Sequence, residues 1–326
     1  MKCIITGGAG FIGSNLAEKL VKMGHRVTVI DNLTTGRKKN LREIIKKIKF
    51  INHDISINNE KFKNYFNNID WVFHLAGLAD IVPSIKDPQK YFKSNVQGTL
   101  NVINASKDKN IKKLIYAASA SCYGIPNQYP TKETSRIDTR YPYALTKYLG
   151  EKLVIDWNKI YNAKNVSLRF FNVYGPRSRT TGAYGAVFGV FLAQKLYNKP
   201  LTIVGNGKQT RDFVHVSDLV LGLIQAAKKG KPGEIYNIGG GKEVSVNYLA
   251  KLIGGKKTYI PKRPGEPDRS LACINKIKKE LKWKPKVTIE EGIRNLLKDT
   301  SLWSDAPVWT PKKIKKATKD WFKYLK

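Results

Sequence analysis

The sequence predicts an α/β protein built on a doubly wound parallel sheet, with a smaller C-terminal α/β lobe beside it. Three observations carry this. The stretch "KCIITGGAGFIGSNLAEKLVKMGHRVTVIDN" (2–32) runs from an apolar strand through a glycine-rich turn into a helix and out into a second strand, a βαβ unit. The alternation then continues, with strand-like runs "KFINHDI" (49–55), "DWVFHLAG" (70–77) and "KKLIYAAS" (112–119) separated by helical stretches around 60–67 and 88–109. Strands alternating with helices fold as a parallel sheet covered on both faces. Finally, 326 residues exceed one minimal domain and suit two coupled lobes with a sizeable core.

The first element is the most specific. Gly7, Gly10 and Gly13 have G-x-x-G-x-x-G spacing, and Gly8, Gly10 and Gly13 also satisfy G-x-G-x-x-G. Side chains there would block the tight turn, the approach of a pyrophosphate to helix N-terminal N–H groups, and close helix packing. An acid, Asp31, follows Gly13 by 18 residues at the end of the second strand. It would accept hydrogen bonds from ribose hydroxyls and repel a 2′-phosphate, which favours NAD over NADP. Capping of the strand end is the plainer role for Asp31, and Arg37 and Lys38 lie close enough to weigh against the preference.

Ligands of such folds bind beyond the carboxyl ends of the strands. That rule places Asp54, Ile55, Leu75, Ala76, Gly77 and Ser119 along one crevice. The next helix, "RYPYALTKYLGEKLVIDWNKIY", can open at Pro142 and sets Tyr143 and Lys147 at i, i+4 on one face. Beside a dinucleotide, a lysine ammonium and an oxidised nicotinamide both favour the phenolate, so the tyrosine can act as a base. Ser119 could share the proton of a substrate hydroxyl. Ser119, Tyr143 and Lys147 are the expected catalytic triad.

Hydrophobic residues at 41% and aromatics at 10% are ordinary for a globular chain, and no repeat or low-complexity stretch stands out. The net charge of +34 raises nucleic-acid or anionic-membrane binding as an alternative. The lysines, however, are dispersed as pairs on helix surfaces without one basic arm, so no nucleic-acid partner is expected. Cys3, Cys122 and Cys273 lack C-x-x-C spacing, and His25, His53, His74 and His215 lack metal-ligand spacing, so neither disulfide nor metal is expected. The glycines interrupt the N-terminal apolar run, and "GAVFGVFLA" (185–193) is too short to span a bilayer. A cytoplasmic protein without an integral membrane segment is the expectation.

The chain resembles the extended short-chain dehydrogenase/reductases that act on nucleotide sugars, a Rossmann-like family. The matching pieces are "TGGAGFIG", "DNLTTG", "HDI", "HLAG", "NVQGTLNV", "YAASASCYG", "YPYALTKYLGE", "LRFFNVYGPR", "QTRDFVHVSDL" and "KRPGEPDRS", in the family's order over residues 1 to about 300. The resemblance implies an NAD-binding domain over 1–172 with a return segment near 210–240, and a mainly substrate-binding lobe over 173–326. It implies NAD contacts from Gly7, Gly10, Phe11, Ile12, Gly13, Asp31, Asn32, Asp54, Ile55, Leu75, Ala76, Gly77, Asn95, Tyr143 and Lys147. It also implies that Tyr143 takes the proton of the sugar 4-hydroxyl while hydride leaves C4. Asn172 would contact the sugar diphosphate, Arg211 and Arg263 would clamp its phosphates, and Ser119 and Tyr143 would meet the sugar. Arginines also pair with nearby acids, here Asp212 or Glu266.

Family dehydratases and decarboxylases resemble "TDE" and "TSE" where this chain has Ser119, Ala120 and Ser121. Dehydration across C5 and C6 needs an acid and a base. With none at those positions, return of hydride to the 4-keto sugar is the simplest outcome, and the sequence looks like the 4-epimerases of UDP-hexoses or UDP-N-acetylhexosamines. A C4 dehydrogenase or 4-ketoreductase and a UDP-glucuronate 4-epimerase are the alternatives; a 4,6-dehydratase or a non-catalytic nucleotide- or RNA-binding protein is less expected. Ser270 stands where a bulky tyrosine of some family members gates against N-acetylated sugars, so a larger hexose would fit. The nucleotide pocket is expected around "GAYGAVFGVF" (182–191). Homodimerisation through helices at 88–109 and 142–162 is also implied. In the final stretch, Ile314, Ala317, Trp321 and Leu325 fall on one face of an amphipathic helix starting at Thr310 and Pro311, expected to pack on its own protein or a partner subunit.

Overall fold

A computed structural model describes residues 1–107, 109–178 and 187–325. The strands are β1 (Lys2–Thr6), β2 (Arg26–Asp31), β3 (Ile48–Asn52), β4 (Trp71–His74), β5 (Lys113–Ser119), β6 (Asn165–Phe170), β7 (Asn172–Tyr174), β8 (Leu201–Val204), β9 (Thr210–His215), β10 (Ile235–Ile238), β11 (Glu243–Ser245) and β12 (Lys257–Ile260). Seven of them form one sheet in the order β10-β6-β5-β4-β1-β2-β3, parallel throughout. This is the doubly wound order, whose switch point between β1 and β4 opens the ligand crevice.

The central strands are apolar on both faces because both are covered. On one face, helices Phe11–Lys22 and Val216–Lys229 bury Leu16, Leu20, Leu219 and Leu223 against Ile5, Val29 and Ile115. On the other, helices Gly98–Lys107 and Pro142–Tyr161 bury Val102, Ile103 and Val154 against Ile4, Val72 and Tyr116. A separate core gathers Phe188, Phe191, Leu201, Ile203, Leu249, Ile253, Ile293 and Trp303 around the two-stranded β12-β8 sheet. The three-stranded sheet β11-β9-β7 lies between these parts of the chain.

Three sequence expectations are corrected in detail. β3 and β4 end at Asn52 and His74, so Asp54 and Leu75–Gly77 stand in loops past the strand ends. The stretch 88–109 is not one helix: helix Pro88–Phe92 runs into a π-helical turn, Lys93–Gln97, before Gly98–Lys107, and residue 108 lies outside the described residues. The C-terminal stretch is two short helices, Pro311–Ala317 and Lys319–Tyr324, parted at Thr318. Thr318 is buried and its hydroxyl donates back to the Ile314 carbonyl at 2.9 Å, a bond that competes with the helical ladder. Packing then aims Ile314 and Trp321 inward from separate helices.

Candidate active site

The glycine loop is held shut by close approach. Gly7 has φ +72°, and a Cβ there would sit 2.6 Å from the Ala76 amide nitrogen. At Gly13 a Cβ would run into the Gly7 carbonyl, so the helix could not seat on the turn. Asp31, almost fully buried, accepts from the Ala9 N–H at 2.9 Å and the Leu33 N–H at 2.8 Å. Burial raises its pKa against those two bonds. Asp31 thus ties the glycine loop to the turn after β2. Asn32 donates to Asp54 at 3.1 Å, and Asp54 also accepts from the Ser56 N–H at 2.8 Å. Asp31, Asn32, Asp54 and Ser56 line a cleft of about 530 Å³ with Gly7, Gly10, Phe11, Ile12, Gly13, Ile55, Leu75, Ala76 and Gly77.

Asn95, expected to contact NAD, is buried in the π-turn behind the cleft and does not line it. Its Oδ1 accepts from the Leu78 N–H at 2.7 Å, while Nδ2 donates to the Leu78 carbonyl and Thr146 Oγ1, both at 3.0 Å. π-turns recur at functional sites because they re-aim one side chain within a helix. Here the device fixes the loop after β4 against the helix that bears Lys147. Lys147 is buried, its Nζ 4.5 Å from the centre of the Tyr116 ring.

Ser119 ends β5 and caps the 3₁₀ turn Ala120–Tyr123, accepting from the Ser121 N–H at 3.2 Å. Its Oγ also accepts from Ser121 Oγ at 2.8 Å and from the Tyr143 hydroxyl at 3.2 Å. Three donors surround one oxygen that offers two acceptor sites, so the hydroxyl contacts can reorient and the Ser119 O–H can turn to donate to an incoming oxygen. Burial pushes the Tyr143 phenol up, with the Ser119 hydrogen bond acting against it. Burial also lowers Lys147 to about 7, partly offset by Glu151. The expectation is that a lysine ammonium and an oxidised nicotinamide together favour the phenolate; burial of Tyr143 acts against them.

A second cleft of about 500 Å³ opens on the other side of this pair, lined by Asn172, Arg211, Arg263 and Ser270 among others. Ser119, Tyr143, Phe170, Phe171 and Val173 belong to both clefts. Asn172 donates to the Asp212 carbonyl at 3.1 Å. Arg211 and Arg263 converge on Glu266, at 2.7 and 3.9 Å. Asp212 does not pair with them; it accepts from the backbone N–H groups of Gly240, Gly241 and Ala272, and burial raises it to about 6. Of the stretch "GAYGAVFGVF", residues 182–186 lie outside the described residues, while Val187, Phe188 and Phe191 line the second cleft.

Two cleft residues escaped sequence reasoning. Ser121, read only as a missing acid, donates to Ser119. Asp80 lies on the wall common to both clefts, and its charge helps raise Tyr143. A carboxyl group thus does stand on this wall, from the loop after β4, while positions 120 and 121 carry none, as read from the sequence. Asp80 precedes helix Ile81–Lys86 at φ +96° yet makes no capping hydrogen bond. Strained backbone of this kind at a cleft was the available signal, and no sequence pattern displays it. His74, by contrast, is structural: it bonds Thr6 and Thr99, and burial lowers it to about 3.

Fold and site together define a dinucleotide-dependent enzyme of the extended short-chain dehydrogenase/reductase class. The profile of the NAD dependent epimerase/dehydratase family matches residues 3–239, and the chain belongs to that family. It is 36% identical to a Methanocaldococcus jannaschii protein described as "Putative UDP-glucose 4-epimerase", over 90% of this chain and 96% of that one. The structure is similar to UDP-glucose 4-epimerase from Thermotoga maritima, solved with UDP-glucose, at TM-score 0.86 and 33% identity over 94% of this chain and 99% of that one. It is also similar to UDP-N-acetylglucosamine 4-epimerase from Methanobrevibacter ruminantium, solved with UDP-N-acetylmuramic acid, at TM-score 0.85 and 30% identity over 91% and 98%. The enzyme is NAD-dependent. Among the described residues no helix is long and apolar enough to cross a membrane.

Proposed function

We propose that the protein is a nucleotide-sugar 4-epimerase acting on a UDP-hexose or UDP-N-acetylhexosamine through a 4-keto intermediate. The observation that carries this is the hydrogen-bonded Tyr143–Ser119 pair on the wall common to the two clefts. A substrate hydroxyl held there meets its base from one side and its redox partner from the other.

The cleft fits NAD: the glycine loop leaves room for a pyrophosphate, and the buried Asp31 carboxylate faces the ribose end. Bound NAD would supply the hydride acceptor and donor for the sugar carbon. Tyr143 accepts the 4-hydroxyl proton and gives it back to the same oxygen when the turned-over 4-keto sugar is reduced on the other face of C4. Ser119 donates to the developing oxygen and holds it in line. Lys147, beneath the tyrosine in the same helix, supplies the charge that stabilises the phenolate and a donor for the nicotinamide ribose. Phe170, Phe171 and Val173 keep water from the shared wall.

In the second cleft, Arg211 and Arg263 offer paired guanidinium groups to the diphosphate, Asn172 contacts it, and Ser270 leaves space beside the sugar. Glu266 holds both arginines until phosphate oxygens compete for them. This reading keeps a cofactor domain over 1–172, with a return segment near 210–240, and a mainly substrate-binding lobe over 173–326; the return of β10 (Ile235–Ile238) to the main sheet supports the return segment. The same reading makes the protein cytoplasmic and homodimeric through the helices at 88–109 and 142–162; Ile160 and Tyr161 are exposed at the end of the latter.

The test is turnover of UDP-, dTDP-, GDP- and CDP-sugars followed by NMR. Interconversion of C4 epimers without added NAD and without net nicotinamide absorbance supports the proposal. A 4-keto-6-deoxy product, a decarboxylated pentose or net NADH would overturn it.

A further inference from the structure

The C-terminal stretch 305–325 is not absorbed by the site as described, although it packs directly on it. Trp321 is 5% exposed and lines the second cleft. Its indole N–H donates to the Pro264 carbonyl at 2.8 Å, and the Arg263 guanidinium lies over its ring, 5.1 Å from the centroid. A Cβ placed on Gly265 would be 3.7 Å from Leu325 Cβ, so the chain end follows the 263–266 loop closely. The other side of the same short helix packs on helix Ile81–Lys86, where Lys86 and Asp320 approach to 3.8 Å. The stretch is therefore a strap between the loop after β4 and the arginine loop.

We infer that this strap is a fixed wall of the sugar-nucleotide cleft, and that Trp321 is a positioning residue for Arg263. The inference rests on the reading of Arg263 as a diphosphate ligand. A guanidinium over an indole face is drawn to the ring's π electrons and restricted in where it can swing, while its N–H donors can still engage an anion. Those donors are what a carboxylate or a phosphate engages, and Glu266 already approaches them from the side. The bond to Pro264 anchors the indole to the backbone beside the residue it positions. Phenylalanine would keep the face and lose the anchor; leucine would lose both.

The test is calorimetric titration of the NAD-loaded enzyme with UDP, dTDP, CDP and GDP, continued with whichever binds tightest. Trp321→Leu should weaken that nucleotide about tenfold, and Trp321→Phe about threefold, with NAD content unchanged in both folded variants. In the double variant with Arg263→Ala, the loss should stay within about threefold of Arg263→Ala alone, because both act through one contact. With the matching UDP-sugar, KM should rise while kcat holds. Unchanged affinity in both Trp321 variants, or losses that multiply with Arg263→Ala, would overturn the inference, as would a wild type that binds none of the four nucleotides. Nucleotide binding that responds to Trp321 without any epimer formation would instead sink the epimerase reading and leave this one standing.

Discussion

The Tyr143 hydroxyl donates to Ser119 Oγ at 3.2 Å, joining the start of helix Pro142–Tyr161 to the end of β5 on the wall shared by the two clefts. Replacing Tyr143 by Phe removes the proton acceptor and keeps the ring. Turnover should fall by about 10²–10⁴-fold, the usual worth of a positioned acid–base group, with NAD retention and melting unchanged. Ser119→Ala should lower kcat and spare NAD binding. Wild-type rates in Tyr143→Phe would remove the tyrosine from the mechanism.

Asp80 raises Tyr143 through its negative charge, on top of the larger effect of burial. A base must be deprotonated, so kcat/KM should rise with pH through the tyrosine pKa. Asp80→Asn removes a charge that disfavours phenolate, which moves that limb to lower pH. A pH profile of the variant that moves the other way, or not at all, would contradict this placement.

Arg169 and Glu151 form a buried pair at 2.6 Å, with side chains 4% and 2% exposed. Glu151 also accepts from Ser167 at 2.9 Å, and Arg169 donates to Tyr123 at 2.8 Å. Glu151→Ala leaves a buried guanidinium unpaired and should cost about 3–5 kcal/mol in denaturant unfolding. It also withdraws the charge that offsets desolvation of Lys147, one helical turn away, and should lower that lysine further.

At the cofactor end, Asp31→Ala takes away the acceptor of the Ala9 and Leu33 N–H groups together with the charge facing the ribose. NAD affinity should drop about tenfold, or about 1.4 kcal/mol, and discrimination against NADP should shrink, both measurable by fluorescence titration.

Ser270 bears on the sugar. The wild type should turn over UDP-GlcNAc as well as UDP-glucose, and Ser270→Tyr should depress the acetylated substrate by about tenfold or more relative to the plain one. Equal effects on both sugars would show that Ser270 does not measure the substituent.

Much of this was legible without coordinates. The glycine spacing, the acid ending β2 and the Tyr143–Lys147 spacing are local patterns imposed by turn sterics and helical periodicity, and the parallel sheet follows from alternation. The pairing of Arg211 and Arg263 on one glutamate was less accessible. The sequence offered both Asp212 and Glu266, and only the structure shows Asp212 turned inward onto three backbone N–H groups.

"YAASASCYG" marks the boundary between the two kinds of knowledge. By itself the sequence determined that a hydroxyl, and no acid, follows β5, because that is a matter of residue identity at the end of an apolar strand. That Ser121 supports Ser119, that Asp80 brings a carboxyl group to the same wall, and that Trp321 lies under Arg263 were decided by tertiary structure alone. Desolvation and stacking depend on which distant segments share a cleft, and residues 80, 119, 263 and 321 meet only when the chain is folded.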